Sequence, residues 1–467
     1  MNMGCRSRSS KIRISSWYKT GYEINTAAAP AYSITADSVA LTKYLPSTTN
    51  IVKIMNHINS HSFLTFDAHR VSSPCFVIDE VKIEQNLQIL QNIEKKSGAK
   101  VLIALKAFSM KSMAPLICKY LTGCCASGVY EAKFAFDHFQ GKQLGSNHRE
   151  IHTYSPAFKD DDLEQLLLIS DHIVFNSCRQ WLRFKDRALQ AQHARPALQF
   201  GLRINPMLST GATELYDPCA KGSRLGITLD EFTLNFPSPD LLDGISGLHF
   251  HTLCEQGYDD LELTLTAFEQ QFASYLPQLQ WLNLGGGHLI TAPDYDRGTL
   301  VKTLKRLQHQ YHLQAYIEPG EAIAINSGVL VAEVLDIVSN HTNIAIIDAS
   351  ATCHMPDTLE MPYRANVFTA TANTPVEIAA TCGDKPFSYR LGGQTCLAGD
   401  VMGDYSFKHP LAIGQRLMFD DMSHYTMVKT TTFNGMPLPS IAVWNSVTDN
   451  LEVVKQFHYH DFFSRLG

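Results

Sequence analysis

The sequence predicts an α/β protein, with a parallel (β/α)8 barrel followed by a C-terminal β domain. From Pro74 onward, short apolar strands alternate with helical stretches, which is typical of a parallel barrel. After Gly320 the chain changes to β-rich segments separated by Gly, Asn, Asp and Pro, which indicates a separate β domain. The length of 467 residues suits a barrel of about 250 residues plus a second domain.

The elements follow this pattern in order along the chain. The alternating series begins with the strand PCFVID and a helix around Leu87 to Glu94, and continues with KVLIALK and a helix around Ala114 to Tyr120. Further barrel strands are expected at HIVF, LQFGLRI, GLHFHT, LQWLNL and QAYIEP. The β domain is expected to contain GVLVAEVLDIV, NIAIIDAS, FSYRLGG, RLMFDD and HYTMVKTT. We therefore expect the barrel to span residues 71–322 and the β domain residues 323–467.

Lys106 ends the apolar strand KVLIALK and is the first candidate functional residue. A lysine at the point where such a strand meets a cleft is partly desolvated, which lowers its pKa and makes the neutral amine available as a nucleophile. An ordinary strand-end lysine that reaches water is the alternative for a lysine considered alone.

Two later strand ends carry a glycine run and a carboxylate. Gly285, Gly286 and Gly287 follow the strand LQWLNL, so backbone N–H groups can converge on a phosphate without interference from side chains. A tight turn would explain three glycines equally well. Glu318 ends the next strand, and the following Pro-Gly forces the chain to turn, so that its carboxylate can face a pyridine nitrogen.

The segment HFH places His249 and His251 on one face of a strand. Two imidazoles in this arrangement are also how metal-dependent barrel hydrolases hold a metal ion. No further carboxylate or lysine spacing completes such a metal site here, and we expect no metal. The neighbouring motifs suit a phosphate and a pyridine ring instead.

These motifs together resemble the pyridoxal-phosphate (PLP) dependent decarboxylases of the alanine racemase/ornithine decarboxylase fold group. Within that group the chain is most similar to the carboxynorspermidine/carboxyspermidine decarboxylase branch. The similarity runs from about Pro74 to the C-terminus and includes HTYSPAFKD, GSRLGIT, GLHFHTLCEQ, DASATCHMPDTLEMPYR, RLGGQTCLAGDVMGDYSF and DDMSHYTMVKTTTFNG. It implies PLP as cofactor and decarboxylation of a carboxylated polyamine in spermidine and norspermidine biosynthesis.

The resemblance also implies roles for single residues. Lys106 would hold PLP, His251 would stack on its ring, and Gly285–Gly287 would bind its phosphate. Glu318 would keep the pyridine nitrogen protonated. Two residues near the C-terminus have implied roles as well: Tyr425 as a phosphate contact and Cys396 as the thiol that reprotonates the substrate carbon. In relatives this cysteine reaches the site from the partner subunit, which implies a homodimer with shared sites.

Two departures from the wider family bear on the substrate. Relatives acting on ornithine or diaminopimelate have arginine where this chain has Glu321, and aspartate where it has Leu397. A carboxylate at position 321 would repel phosphate, so we expect it to face a cationic amine of the substrate. Further candidates for the distal amines are three acidic residues, for which loop capping or a solvated surface is the alternative: Asp357, Glu360 and Asp400.

Composition excludes some partners and indicates a compartment. The formal net charge of −6 and the absence of a basic stripe give no sign of nucleic-acid binding, and no run of 18 apolar residues predicts a membrane span. Eleven cysteines without paired spacing indicate reduced thiols in a cytoplasmic enzyme. The adjacent Cys124 and Cys125 could serve metal or redox chemistry, but packing beside the cofactor is the simpler expectation.

Residues 1–70 differ from the rest of the chain and are expected to be a poorly ordered extension outside the family. Five basic residues, five serines and no acid in residues 1–22 superficially resemble a transit peptide, which makes targeting the alternative.

Other function classes make distinct demands on the chain. A non-catalytic homologue would be expected to have lost Lys106 or Cys396, and both are present. A racemase would need a second base opposite Lys106, and a barrel hydrolase would bind metal and show no cofactor absorbance.

Overall fold

The structure is a computed structural model that describes residues 62–139, 148–211, 214–237, 242–371 and 374–467. It contains a closed eight-stranded parallel barrel and a separate, mixed β-sheet, which confirms the predicted fold class. None of the helices in these described ranges is long and apolar enough to cross a lipid bilayer.

The barrel is formed by consecutive strands, each paired in parallel with the next. They are β2 (Lys100–Ala104), β3 (Gly123–Ala126), β4 (Glu150–Tyr154), β5 (His172–Phe175), β6 (Gln199–Arg203), β7 (Gly247–His249), β8 (Trp281–Asn283) and β9 (Gln314–Ile317). The last strand pairs with β2 through Lys100↔Tyr316 and Val101↔Ile317, which closes the barrel.

Helices connect the barrel strands and pack their apolar faces into the same hydrophobic core. They are α1 (Glu80–Ser97), α2 (Ala114–Ile117), α3 (Val129–His138), α4 (Asp160–Ile169), α5 (Cys178–Ala194), α6 (Leu229–Asn235), α7 (Tyr258–Phe272) and α8 (Arg297–Tyr311). The first helix shows why such elements begin and end where they do. Asp79 caps it by accepting the Val81 N–H, and Gly98 ends it in the left-handed conformation with φ 78°.

The C-terminal sheet domain contains β10 (Gly328–Asn340), β11 (Thr342–Ile347), β12 (Val367–Thr371), β13 (Thr374–Ile378), β14 (Ala380–Thr381), β15 (Phe387–Gly392), β16 (Val401–Phe407), β17 (Arg416–Asp420), β18 (Ser440–Trp444) and β19 (Leu451–Lys455). Short helices accompany the sheet: α9 (Glu321–Ala324), α10 (Ala351–His354), α11 (Asp357–Glu360) and α12 (Tyr459–Phe463).

The strand PCFVID does not belong to the barrel. It forms β1 (Cys75–Asp79), which pairs antiparallel with β10 and parallel with β18 in the sheet domain. All five of its residues are buried. The sequence pattern is misleading here because a continuous apolar run marks a strand buried on both faces without telling which sheet it joins.

The end of the predicted poorly ordered extension is also part of the sheet domain. Short 3-10 helices at Ser62–Thr65 and Ala68–Arg70 place the rings of Phe63 and Phe66 within 5.4 and 5.0 Å of the Trp444 ring. Burial of these aromatic rings holds the segment against the sheet. The expectations for the rest of the extension, including targeting, concern residues that lie outside those the structure describes.

Candidate active site

The carboxyl ends of the barrel strands bring the predicted site residues together. Lys106 follows β2 and Glu318 follows β9, and these two strands are neighbours in the closed barrel. The Ala104 N–H donates to the Pro319 carbonyl at 2.9 Å, so the two turns that carry Lys106 and Glu318 are directly joined. Functional residues of barrel enzymes lie at this face because all the strand ends converge there.

The Lys106 amine is less basic than an ordinary lysine amine. Its side chain is exposed at the strand ends, but neighbouring protein atoms remove part of its hydration. This desolvation lowers the pKa of the amine, and the Arg203 guanidinium lowers it further, against the opposing effect of Glu318. A larger fraction of the amine is therefore uncharged and nucleophilic at neutral pH.

The glycine run after β8 is required by close backbone contacts. A Cβ on Gly286 would lie 2.0 Å from the Glu318 carbonyl oxygen, and one on Gly285 would lie 2.4 Å from the Phe250 carbonyl oxygen. Gly285 and Gly287 have φ of 68° and 84°, which side chains disfavour. Residues with side chains would therefore not fit in this loop. A loop without side chains lets a phosphate group approach the backbone closely, which a phosphate-binding site needs.

Asn283, which sequence reasoning missed, ties the glycine loop to Glu318. Its Oδ1 accepts the Gly285 N–H at 2.9 Å, and its Nδ2 donates to the Glu318 Oε1 at 2.7 Å. The available signal was an asparagine in the last position of a strand immediately before the glycine run.

Glu318 is held as a carboxylate in spite of its burial. Burial raises its pKa, but His249 and the Asn283 hydrogen bond outweigh that effect and hold the pKa of Glu318 below its usual range. The His249 Nε2 lies 3.4 Å from the Glu318 Oε2. Burial also lowers the pKa of His249, so this ring is neutral at pH 7 and cannot be a full counter-charge. We therefore attribute the shift of Glu318 chiefly to hydrogen-bond donors and ring dipoles.

His251 lies against the glycine loop as a neutral imidazole. Its Nδ1 accepts the Gly286 N–H at 2.9 Å. Burial lowers its pKa well below the usual value, and the nearby Lys106 and Arg203 act in the same direction. A neutral, half-buried ring with one nitrogen fixed by the backbone can present its face to an aromatic cofactor.

Arg203, at the end of β6, is the second residue that sequence reasoning missed. It is buried, its Nη2 donates to the His251 carbonyl at 2.9 Å, and its guanidinium lies 4.5 Å from the centre of the Tyr154 ring. It is the cation that depresses the pKa of both Lys106 and His251. The sequence around it, LRINP, contains no motif that would mark Arg203 as a functional residue.

Glu321 begins a row of acidic groups next to the Glu318 turn. Burial raises the pKa of its carboxyl to about 7, opposed by His424 and reinforced by Glu255, Asp421 and Asp357. The His424 Nε2 lies 3.2 Å from Asp421 Oδ1. Burial lowers the pKa of His424, but Asp421 and the other carboxylates outweigh it and raise the value to about 9. The row therefore contains one fixed cation among several acids.

Tyr425 is held against the Lys106 turn. Its N–H donates to the Ala107 carbonyl at 2.8 Å, and its backbone has a φ of 41°, which a residue with a side chain seldom adopts. Such strain persists only where surrounding structure enforces it, and it is concentrated at functional sites. The position is consistent with the phosphate contact implied for this residue.

The remaining candidates for the distal amines already have partners. The Lys429 Nζ lies 2.6 Å from Asp357 Oδ1 and also contacts Glu360. Asp400 is buried, and its carboxylate accepts hydrogen bonds from Ser350 Oγ at 3.0 Å and from Thr395 Oγ1 at 2.7 Å. Asp400 thus caps the loop between β15 and β16, the alternative considered for it, and is not open to an amine.

Cys396 lies on that loop and is exposed. Its N–H donates to Asn434 Oδ1 at 3.4 Å. In the described part of the chain, no hydrogen bond or ion pair joins Cys396 to Lys106 or His251. Among the described residues of one chain, the candidate late acid therefore has no direct bond to these two site residues.

Potential metal ligands come together at the opposite, N-terminal end of the barrel. Glu150, His152 and His172 each place one ligand atom within 4.8 Å of the others, and they are the one such group among the described residues. The two imidazoles stack with centroids 3.8 Å apart and planes 24° apart. Their in-plane lone pairs therefore cannot converge on one ion, and the Lys100 ammonium contacts Glu150. His249 and His251 are not in this group.

Comparison with known proteins gives a consistent family. The sequence profile described as "Pyridoxal-dependent decarboxylase, C-terminal sheet domain" matches residues 47–423, so the match begins inside the predicted extension. A carboxynorspermidine/carboxyspermidine decarboxylase of Campylobacter jejuni is 41% identical over 398 residues, covering 85% of this chain and 99% of the relative. A carboxyaminopropylagmatine decarboxylase of Synechocystis is 42% identical over 397 residues, covering 85% and 95%.

Solved structures agree with the sequence comparisons. The Campylobacter jejuni carboxynorspermidine decarboxylase complexed with norspermidine superposes with a TM-score of 0.73 at 40% identity, covering 85% of this chain and all of that one. A Helicobacter pylori diaminopimelate decarboxylase complexed with L-lysine superposes with a TM-score of 0.68 at 16% identity, which shows the same fold.

The residues present fit PLP. The glycine loop offers a backbone approach that any Cβ would fill, Lys106 offers a partly neutral amine, and Glu318 offers a persistent carboxylate. His251 offers a ring face between them. Each part of PLP would therefore have a suitable partner among these residues. The parts are its phosphate, its aldehyde, its pyridine nitrogen and the face of its ring.

We predict that Gly286→Ala weakens PLP binding by about tenfold or more, because a Cβ placed 2.0 Å from the Glu318 carbonyl oxygen would force the glycine loop out of position. Absorbance titration of the apoprotein with PLP measures the dissociation constant. Gly257→Ala is the matched control, since a Cβ there meets nothing within 4 Å. Unchanged affinity in Gly286→Ala, at an unchanged melting temperature, would contradict the assignment of the cradle.

Proposed function

Because the chain belongs to the pyridoxal-dependent decarboxylase family, we propose that it decarboxylates carboxynorspermidine and carboxyspermidine. The observation that carries this substrate class is the row of acidic groups beside the cofactor site: Glu321, Glu255, Asp421 and Asp357. A substrate with several ammonium groups is complementary to such a row, whereas the monoamine end of a shorter substrate is not. The named relatives support the same class.

A second candidate substrate is carboxyaminopropylagmatine. It is favoured by the 42% identity to a relative named for that activity. Agmatine carries a guanidinium group, which pairs with carboxylates through two parallel hydrogen bonds. The acidic row can bind either an ammonium or a guanidinium group. The two candidate substrates differ in this end group, and a comparison of their turnover therefore distinguishes them.

Each side chain has a defined task in this reaction. When bound, PLP supplies a ring that accepts the electron pair left by departing carbon dioxide. Lys106 would hold the cofactor through its amine, whose pKa is lowered. Glu318 would keep a proton on the pyridine nitrogen, because its charge is retained throughout the physiological range. His251 would fix the plane of the ring, and the glycine loop and Tyr425 would hold its phosphate.

The substrate's amines bind on the other side of the Glu318 turn. Glu321 would pair with one ammonium group, and Asp357, whose charge acts on Glu321, would attract another. Glu360 contacts Lys429 and is more exposed, so it contributes weakly. Asp400 holds the Cys396 loop rather than the substrate.

We expect the purified enzyme to release carbon dioxide from both carboxynorspermidine and carboxyspermidine, with kcat/KM values that differ by at most about a hundredfold, since one methylene is worth about 1–3 kcal/mol in a pocket. Mass spectrometry of the products, with carboxyaminopropylagmatine and diaminopimelate as competing substrates, measures the preference. Turnover of diaminopimelate alone would contradict the polyamine assignment, and preference for the agmatine derivative would favour the second candidate.

The chain is proposed to act as a homodimer in which Cys396 of one subunit completes the site of the other. Cys396 Sγ would then donate the proton that replaces carbon dioxide on the substrate carbon. Its exposed position, apart from Lys106, supports this arrangement, as do the exposed apolar neighbours Leu397 and Phe433. A cytoplasmic location is proposed as well, on the support of ten cysteines in the described residues that are all free thiols.

Mixing Lys106→Ala and Cys396→Ala proteins tests the shared site. Each variant alone should be strongly impaired, and subunit exchange should restore up to about one active site in four, because half of the dimers are mixed and each contains one intact pair. Size-exclusion chromatography confirms the dimer, and activity after mixing measures the restoration. Activity that never rises above the sum of the two variants would place Cys396 in its own subunit's site or outside the reaction.

Glu321 should make substrate binding pH-dependent. Its pKa of about 7 means that the carboxyl is neutral below that pH and loses its attraction for an ammonium group. We therefore expect KM to rise by about tenfold between about pH 8 and about pH 6, as ionisation of one such group falls. In Glu321→Gln this dependence should flatten, with KM high throughout.

The surface variant Glu164→Gln is the control, since that carboxylate lies on α4 outside the barrel and is largely exposed. Steady-state kinetics across the pH range, with PLP occupancy measured in parallel, separates substrate from cofactor effects. An identical pH profile in Glu321→Gln and the parent protein would exclude Glu321 as an amine ligand.

A further inference from the structure

Asp357 of the acidic row is paired with a cation that belongs to the chain itself. This cation is Lys429, the last residue of the 3-10 helix Met427–Lys429, which begins two residues after Tyr425. Its Nζ lies 2.6 Å from Asp357 Oδ1 and also contacts the Glu360 carboxylate. The ammonium of a lysine is thus bound by two carboxylates, one of which, Asp357, belongs to the acidic row.

Asp357 connects this ion pair to the cleft. Its partner Thr426 follows Tyr425 in the chain, and the Tyr425 N–H donates to the carbonyl of Ala107, the residue after Lys106. The Asp357 charge also contributes to raising the pKa of Glu321, His424 and Tyr425. Its other oxygen accepts from Thr426 Oγ1 at 3.4 Å. The Asp357 side chain is only 18% exposed, so its attraction for a cation is screened little, whereas Glu360 is 56% exposed. Asp357 is therefore the stronger of the two ligands of Lys429.

A lysine side chain is chemically the end of a polyamine, since both are primary ammonium groups on a flexible methylene chain. We propose that Lys429 limits the number of amines in the substrate, because its ammonium occupies the place where one further ammonium group of a longer polyamine would bind. This inference rests on the proposed function. A triamine finds its partners at Glu321 and along the row before Lys429, whereas a tetraamine would bring its last cation against the lysine.

A purely structural role for Lys429 predicts a different result when the lysine is replaced. If Lys429 only pinned α11 to the Tyr425 segment, its loss would loosen the site for every polyamine and lower the melting temperature. If it limits length, its loss removes one positive charge and frees two carboxylates. Binding of a tetraamine would then improve more than binding of a triamine.

The test measures binding of norspermidine, with three amines, and spermine, with four, to the PLP-loaded enzyme by isothermal titration calorimetry. In Lys429→Met we expect the preference for norspermidine over spermine to fall by about tenfold or more, the gain of one charge-assisted hydrogen bond. Lys429→Arg keeps the charge and should keep the parental ratio. Lys385→Met is the matched control, because Lys385 forms an equivalent ion pair with Glu377 at 2.8 Å in the sheet domain.

An unchanged ratio in Lys429→Met at the parental melting temperature would overturn the inference. Equal weakening of both ligands together with a lower melting temperature would also overturn it, in favour of the structural role. The binding ratio is measured without turnover, so it decides the part played by Lys429 separately from the decarboxylation assay. Failure of the parent enzyme to decarboxylate any carboxylated polyamine would reject the proposed function instead.

Discussion

The pairing of β2 with β9 is the constraint on which the site depends. These strands are the first and last of the barrel, and their hydrogen bonds bring Lys106 beside Glu318 although most of the barrel sequence separates them. The hydrogen bond from Ala104 to Pro319 extends the same pairing into the two turns. Without closure, the amine and the carboxylate would lie on opposite edges of an open sheet and could not serve one ring.

Glu318 is also the point where the glycine loop is anchored. Its N–H donates to the Gly285 carbonyl at 2.7 Å, its carboxylate accepts from Asn283, and its carbonyl oxygen allows no side chain at position 286. The phosphate end and the nitrogen end of a bound ring are therefore set by contacts to one residue. Any shift of Glu318 would move both ends together and preserve the distance between them.

Charge in the site is arranged by burial as much as by pairing. The pKa values of Lys106 and His251 are lowered because the protein strips their hydration and Arg203 lies nearby, whereas the pKa of His424 is raised because Asp421 outweighs burial. Each side of the Glu318 turn thus carries one cation, Arg203 beside the cofactor residues and His424 within the acidic row. The cofactor side favours neutral bases, and the substrate side favours positive charge.

Site residues could be predicted from the sequence where an unusual residue type directly follows an apolar strand. Lys106, the glycine run and Glu318 each follow a recognisable apolar strand, and parallel strands in a barrel necessarily place their ends on one face. Arg203 and Asn283 were missed because their importance comes from neighbours distant in sequence. The partners of Asp357 and Asp400 were likewise invisible, since Lys429 and Thr395 reach them only in the folded chain. The assignment of β1 was wrong because apolar character reports burial and not the identity of the neighbouring strand.

The position of β1 has a consequence for how the protein is made. This strand leaves the ribosome before any part of the barrel, yet its two neighbours, β10 and β18, are synthesised after the barrel is complete. The apolar side chains of β1 therefore remain unpaired while all eight barrel strands are synthesised. The sheet domain cannot be produced as a separate C-terminal fragment without losing a central strand. During synthesis the unpaired strand is exposed to association with other chains until β10 and β18 have been made.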